Sequence, residues 1–164
     1  AIRDAHERYG HVQEVIVQNF TPHAGTPMAV MPETSDEEMA HAVALARLIL
    51  PSEISVQAPP NLNPARTRLL LEAGINDFGG ISPLTPDYIN PDRPWPVITG
   101  LAAVVGALGF DLEPRLPIYD AFLRKTGFLQ PALLSHVLAR RERLGRLSVR
   151  AADGPRQNTE GASA

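Results

Sequence analysis

A chain of 164 residues with a formal charge of -3, 44% hydrophobic and 20% charged residues suits one domain, or one large piece of a domain, and excludes wholesale disorder. It has no cysteine, which excludes a disulfide scaffold, a Cys-rich zinc module and a thiol-ligated iron–sulfur cluster within these residues. The mild acidity gives no general attraction to nucleic acid or anionic lipid, and the longest apolar stretch, Val97 to Phe110, falls short of the ~20 residues of a membrane span.

Charged residues crowd the start (Arg3, Asp4, Glu7, Arg8), unlike a leader sequence, so a cytoplasmic chain is expected. Residues 1–9 read as the end of a helix stopped by Gly10. Val12 to Gln18 is a short apolar run of strand character, followed by a loop stiffened by Pro22, Pro27 and Pro32. Ser35 with Glu38 forms a capping box, after which Met39, Val43, Ala46 and Leu50 recur at helical spacing until Pro51. Ile54 to Gln57 reads as a second strand, and Pro59, Pro60 and Pro64 stiffen the loop that leaves it. Asn63 with Pro64 predicts a helix start, and Gly74 its end.

A third strand is expected at 77–81, weakened by its glycines, before a proline-rich stretch from Pro83 to Pro96. Ile98, Leu101, Ala102, Val105 and Leu108 form a helical stripe closed at Gly109. Alternation over 111–117 predicts a fourth strand, despite Pro114. Residues 128–150 predict a basic amphipathic helix rich in Leu and Arg, read as a solvated face, and 151–164 a disordered polar tail.

Strands separated by helices run parallel, and long stiffened loops leaving the strands with tight returns are the pattern of a (β/α) barrel, whose ligand face lies at the strand C-terminal ends. A whole barrel takes about 250 residues, so residues 1–127 are expected to form its C-terminal half, an α/β unit of about four parallel strands with outer helices. Polar groups at those strand ends are the site candidates: Gln18 and Asn19, then Gln57 and Asn61, then Ser82 after Gly79-Gly80, then Arg115 and Tyr119. Uncharged amides suit a small molecule with many hydrogen-bonding edges, such as a nucleoside or a uracil ring. The same residues could instead satisfy loop backbone and cap turns. The five histidines form no metal-ligand spacing; His6, His41 and His136 are expected on helix surfaces, and His23 over the barrel mouth.

Tyr9-Gly-His-Val-Gln-Glu-Val-Ile-Val-Gln-Asn-Phe20, Gln57-Ala-Pro-Pro-Asn-Leu62 and Ala73-Gly-Ile-Asn-Asp-Phe-Gly-Gly-Ile-Ser-Pro-Leu-Thr-Pro-Asp87, with Asn90-Pro91 and Pro94-Trp-Pro96, closely resemble the FO synthase family. The resemblance covers roughly residues 1–120 and implies a radical S-adenosylmethionine barrel that uses a 4Fe-4S cluster to build the deazaflavin FO, the coenzyme F-420 precursor, from a tyrosine–ribitylaminouracil adduct. It implies that Gln18, Asn19, Gln57 and Asn61 face S-adenosylmethionine, and that Ser82, Arg115 and Tyr119 face the substrate. It also implies partners, namely the N-terminal half of the barrel and, functionally, FO synthase subunit 2. The family's CxxxCxxC cluster motif has no counterpart here, since the chain lacks cysteine, so no metal ligand is expected and the chain alone is expected to be inactive. Phe78 stands where the family usually has Trp. Two other readings stay open: a non-catalytic barrel remnant serving as an interaction module, and a different barrel lyase. The only lysine, Lys125, lies past the last expected strand, which disfavours Schiff-base chemistry.

Overall fold

The computed structural model describes residues 1–145; the expected tail at 151–164 and the last turns of the expected C-terminal helix lie outside them. Helix α1 (Ile2–Tyr9) leads into strand β1 (Glu14–Ile16), helix α2 (Asp36–Ile49), strand β2 (Ser55–Gln57) and helix α3 (Thr67–Ala73). Helices α4 (Ile98–Gly106), α5 (Asp120–Leu123) and α6 (Pro131–Gly145) follow. The chain is thus α/β, with β1 and β2 paired in parallel, Val15 opposite Val56.

Helix α2 starts as its sequence dictates: the Glu38 N–H donates to Ser35 Oγ at 3.2 Å, and the Ser35 N–H to Glu38 Oε2 at 2.8 Å. Its apolar stripe then builds the core, in which Met39 and Val43 meet Val56, Ala58, Leu70 and Ile75, with Ala46, Leu50 and Val17 at the edge. Burying six such groups supplies the main favourable term of the fold, about 1.5–3 kcal/mol for each large side chain. Gly74 ends α3 at φ 117°, a left-handed conformation that a Cβ would disfavour, and a Cβ there would also lie 2.9 Å from Arg47 Cγ.

Four expectations need correction. The third strand is reduced to a single parallel bridge, Gln57 to Asp77. Asn76 still follows β2, its N–H donating to the Val56 carbonyl at 3.1 Å, but Gly79 turns to φ 72° and the extended conformation stops. Residues 111–117 form no strand. Pro114 and Pro117 lack the N–H groups a ladder requires, and Arg115 holds this segment by its side chain instead. Among the described residues the parallel sheet thus has two strands and a bridge rather than four strands. Helix α3 begins at Thr67 rather than at Pro64; Asn63 Oδ1, the atom that would cap it, meets the Arg66 side chain at 3.5 Å instead of a backbone N–H. Helix α4 ends at Gly106, and Gly109 closes the turn after it.

The pattern of connections is as expected. Residues 17–35 leave β1 as a long loop, whereas residues 50–54 return tightly to β2. No described helix is long and apolar enough to cross a membrane.

Candidate functional site

Alternation along a strand sends successive side chains to opposite faces. Val56 enters the core with Val17, so Ser55 and Gln57, and Glu14 and Ile16 of β1, face the other way, where Ile16 is 54% exposed. On that face Gln57 is 3% exposed and donates both carboxamide hydrogens, one to Glu14 Oε2 and one to the Tyr119 hydroxyl at 3.2 Å. The hydroxyl in turn donates to Asp77 Oδ2 at 2.8 Å. The Arg115 guanidinium clasps Asp77 through Nε and through a terminal nitrogen 3.0 Å from Oδ1, and it reaches Glu14 Oε2, also at 3.0 Å. It also lies 4.1 Å over the Tyr119 ring. The Tyr119 N–H donates to Gln13 Oε1 at 3.0 Å, which fixes the start of α5.

This cluster joins both strands, the bridge residue and the 111–119 segment. Gly79 completes it, because a Cβ there would lie 2.8 Å from Gln57 Oε1, in addition to the penalty of its positive φ.

Burial pushes the Tyr119 phenol well above its usual range, and the Asp77 carboxylate adds to that against opposing hydrogen bonds with Ser55 and Gln57. Burial would lower Arg115, but hydrogen bonding to Asp77 and its charge outweigh this, so the guanidinium is raised. The folded state thus favours neutral Tyr119. That contribution is complete below the ordinary phenol value of 10.0 and is lost as pH rises above it. Urea midpoints are expected to fall above that pH, and to fall less steeply in Tyr119→Phe; equal slopes would refute the coupling.

A second cluster lies beyond the ends of β1 and β2. Asn63 Nδ2 donates to Asn19 Oδ1 and to the Pro59 carbonyl, each at 2.9 Å, and Asn19 Nδ2 reaches the Leu62 carbonyl at 3.4 Å. Asn61 Nδ2 donates to Asp87 Oδ2 at 2.9 Å and to the Arg93 carbonyl at 3.3 Å. The Asn90 side chain shares Asp87 Oδ2 at 2.9 Å, and the Ile89 and Asn90 N–H groups donate to Oδ1. Hydrogen bonds from the Asn90 side chain, then from these N–H groups and Asn61, hold the Asp87 carboxyl below its usual range despite some desolvation. Arg93 is anchored to Glu33 of the first loop, so the two long loops meet. Two buried polar atoms here have no partner, Asn61 Oδ1 and Trp95 Nε1.

Of the residues expected from sequence, Gln57, Arg115 and Tyr119 converge in the first cluster, and Asn19 and Asn61 fall in the second. Gln18 is exposed and enters neither. Ser82 pairs with Thr85 in a turn, its Oγ 2.7 Å from Thr85 Oγ1. It lines a groove of about 540 Å³ with Asp87, Pro94, Trp95 and Thr99. A larger hollow of about 740 Å³, lined by Ala40, His41, Leu69 and Glu72, lies against α2 and α3 on the helical side.

Glu14, Asp77, Asn63, Asp87, Asn90 and Arg93 were not expected as site residues from the sequence. The signal for Glu14 was present in the alternation Glu14-Val15-Ile16-Val17, which separates it from the core face. His6 is also a correction: it is 3% exposed, its Nδ1 accepts the Val12 N–H at 3.2 Å, and its Nε2 meets Glu53, whose carboxyl this contact lowers. His41 and His136 are exposed, and His23 is half-buried. No group of three or more potential metal ligands occurs among the described residues. Lys125 donates to the Gly10 carbonyl at 2.7 Å and lies 4.2 Å over the Phe122 ring, a structural tie rather than a free amine.

No family model and no solved structure matches the chain. Its similarity to curated proteins is high. It is 52% identical over 124 residues to the 7,8-didemethyl-8-hydroxy-5-deazariboflavin synthase of Methanopyrus kandleri, covering 76% of this chain and 37% of that protein. It is 44% identical over 141 residues to the FO synthase of Mycobacterium tuberculosis, covering 85% of this chain and 16% of that protein. With the 7,8-didemethyl-8-hydroxy-5-deazariboflavin synthase of Methanoregula boonei it shares 44% identity over 146 residues, covering 89% of this chain and 43% of that protein. The chain is therefore a homologue, over most of its length, of the FO synthases, and it spans less than half the length of these relatives.

Proposed function

We propose that this chain is the part of an FO synthase that contributes later strands to a radical S-adenosylmethionine barrel and carries part of its ligand-binding face. The observation that supports this best is the 52% identity to the Methanopyrus protein across a chain whose expected strand-end residues Gln57, Arg115 and Tyr119 meet on one sheet face. The parallel order β1, β2, Asp77 suits a barrel segment, and the open side of β1 would be paired by the remaining strands.

S-adenosylmethionine, when bound, supplies the adenosyl group for radical chemistry. The polar residues fit it: Gln18, Asn19, Gln57 and Asn61 would hold the cofactor side, and Ser82, Arg115 and Tyr119 the substrate side, the tyrosine–ribitylaminouracil adduct. A 4Fe-4S cluster does not fit this chain, which has no thiolate to offer, so cluster ligation belongs to the N-terminal half of the barrel. The chain's own contribution is positional. Glu14, itself held by Arg115, and Tyr119 fix the Gln57 carboxamide, and Asp77 holds the Tyr119 proton in place. FO synthase subunit 2 would be the functional partner and the cytoplasm the setting.

The test co-expresses this chain with the part of the Methanopyrus protein preceding the aligned segment, reconstitutes iron and sulfide, adds the second subunit and substrates, and measures FO. The pair should form FO. Gln57→Leu should lower the rate at least ~10-fold, the effect of about 1.4 kcal/mol of lost ligand positioning on the barrier, and by more than the loss of folding that follows from unpairing Glu14 and Tyr119 accounts for. Equal loss of folding and activity would reduce Gln57 to a structural residue, and absence of FO from the unaltered pair would refute the reading.

A further inference from the structure

Helix α2 has two apolar sides. Met39 and Val43 enter the core, while Glu37, His41, Ala44 and Leu48, at i, i+4, i+7 and i+11, form a stripe on the opposite side. Leu69, Glu72 and Ala73 of α3 make the other wall of the 740 Å³ hollow beside that stripe. Its floor of Ala40, Ala44 and Ala73 has short side chains, which let a third helix approach to the near end of the usual axis separation of about 8–10 Å. Leu48 prolongs the floor and is 81% exposed. The rim is acidic: Glu37 makes no ion pair among the described residues, and Glu72 meets Arg68 at 2.9 Å in an exposed pair of little net strength. The inner faces of both helices already lie on the core through Met39, Val43 and Leu70. Strands added at the open edge of β1 would therefore extend the sheet without covering this groove.

Helix α6 carries the complement. None of residues 131–144 is buried, and Leu133, Val137, Arg140 and Leu144 repeat the i, i+4, i+7, i+11 spacing, with Leu133 50% exposed. Arg143 stands beside the stripe, and Arg141 holds α6 to Asp120 of α5. Each stripe is about 16 Å long at a rise of 1.5 Å per residue. Set antiparallel, Leu133 and Val137 meet Leu48 and Ala44, and Arg140 and Arg143 fall at the Glu37 end. A parallel arrangement would place Leu133 against Glu37 instead.

We infer that the groove between α2 and α3 is the seat of α6 from a second copy of this chain, the two copies exchanging helices about a two-fold axis. Every copy carries both groove and helix, so a reciprocal exchange closes, whereas a one-way contact would propagate into a filament. The inference goes beyond the functional reading and does not depend on which ligand the strand ends bind.

Sedimentation velocity of the co-expressed pair should show a complex of twice its mass at micromolar concentration. Glu37→Arg and Arg140→Glu should each raise the dissociation constant of that complex about 10-fold, by facing like charges at both contacts, with circular dichroism unchanged. Leu133→Glu should weaken it further. Mixed one to one, the two charge variants should associate again, because each groove then faces the opposite charge on the other copy's helix. A role confined to one copy cannot produce that rescue. Recovery in the double variant Glu37→Arg/Arg140→Glu but not in the mixture would seat α6 in its own groove. A lowered Tm with unchanged mass would give the groove to the rest of the barrel. Either result, a complex that never doubles in mass, or charge variants without effect would overturn the inference.

Discussion

Expressed by itself, the 164-residue chain is expected to release no 5′-deoxyadenosine from S-adenosylmethionine after iron and sulfide treatment, and to melt broadly. Thiolates are the usual cluster ligands and this chain has none. Strand β1 pairs only with β2 among the described residues, which leaves its other edge open, and Ile16 is 54% exposed on the face opposite the core. An open parallel edge and an apolar side chain exposed beside it both favour aggregation. Each large side chain left in water forgoes about 1.5–3 kcal/mol, a substantial part of a typical domain stability of ~5–15 kcal/mol. Co-expression with the preceding part of the Methanopyrus protein should sharpen the transition and raise its midpoint. Reductive cleavage of S-adenosylmethionine by the lone chain would overturn the assignment of the cluster to another segment. A sharp melt of a soluble monomer would overturn the stability reasoning.

Replacing Asp77 should be the most damaging single change on the polar face. Its carboxylate, 10% exposed, accepts from the Tyr119 hydroxyl, from two Arg115 nitrogens and from the Gly79 N–H at 2.6 Å. Asp77→Ala leaves Glu14 as the one carboxylate facing Arg115 and removes the acceptor of the Tyr119 hydroxyl proton. Breaking a fully buried pair costs about 3–5 kcal/mol; Arg115 is 30% exposed, so about 2–3 kcal/mol is expected after solvent screening. That corresponds to a fall of roughly 5–10 °C in Tm for the co-expressed pair. Asp77→Asn keeps an acceptor for Tyr119 and should lose about half as much. A change within about 0.5 kcal/mol of zero in Asp77→Ala would show that the cluster is not coupled to the fold.

Features governed by neighbours in sequence were legible. The Ser35–Glu38 box, the Met39–Val43 stripe and the Gly74 stop each depend on residues within two turns, and each stands as read. Extended runs were harder, because a strand exists only where a partner ladder accepts it. Residues 77–81 satisfied strand composition, yet Gly79 leaves the extended region and its N–H turns back to Asp77 Oδ1. Residues 111–117 alternated correctly, but two prolines remove ladder donors and Arg115 substitutes a charged clasp. The candidate site was half visible. Gln57 and Tyr119 stood out as polar groups at expected strand ends, whereas Asp77 and Glu14 read as ordinary polarity within a strand. Asn63 looked like a helix cap because cap signals are local, and its actual partner, Asn19, lies 44 residues away. His6 looked exposed because the helix pattern gives no sign of the Glu53 contact 47 residues on.

The ties made by the segment around Arg115 have a kinetic consequence. Arg115 to Glu14, Tyr119 to Gln13 and Lys125 to Gly10 close loops of 101, 106 and 115 residues, while α2, β2 and α3 assemble through neighbours close in sequence. Loop-closure entropy must be met before such distant contacts return anything, so the β1–α3 region should form first and the 115–125 segment should latch last. The residues that complete the Gln57–Asp77 cluster would thus be the first to open, and their amide hydrogens the first to exchange, while the core beneath them stays closed.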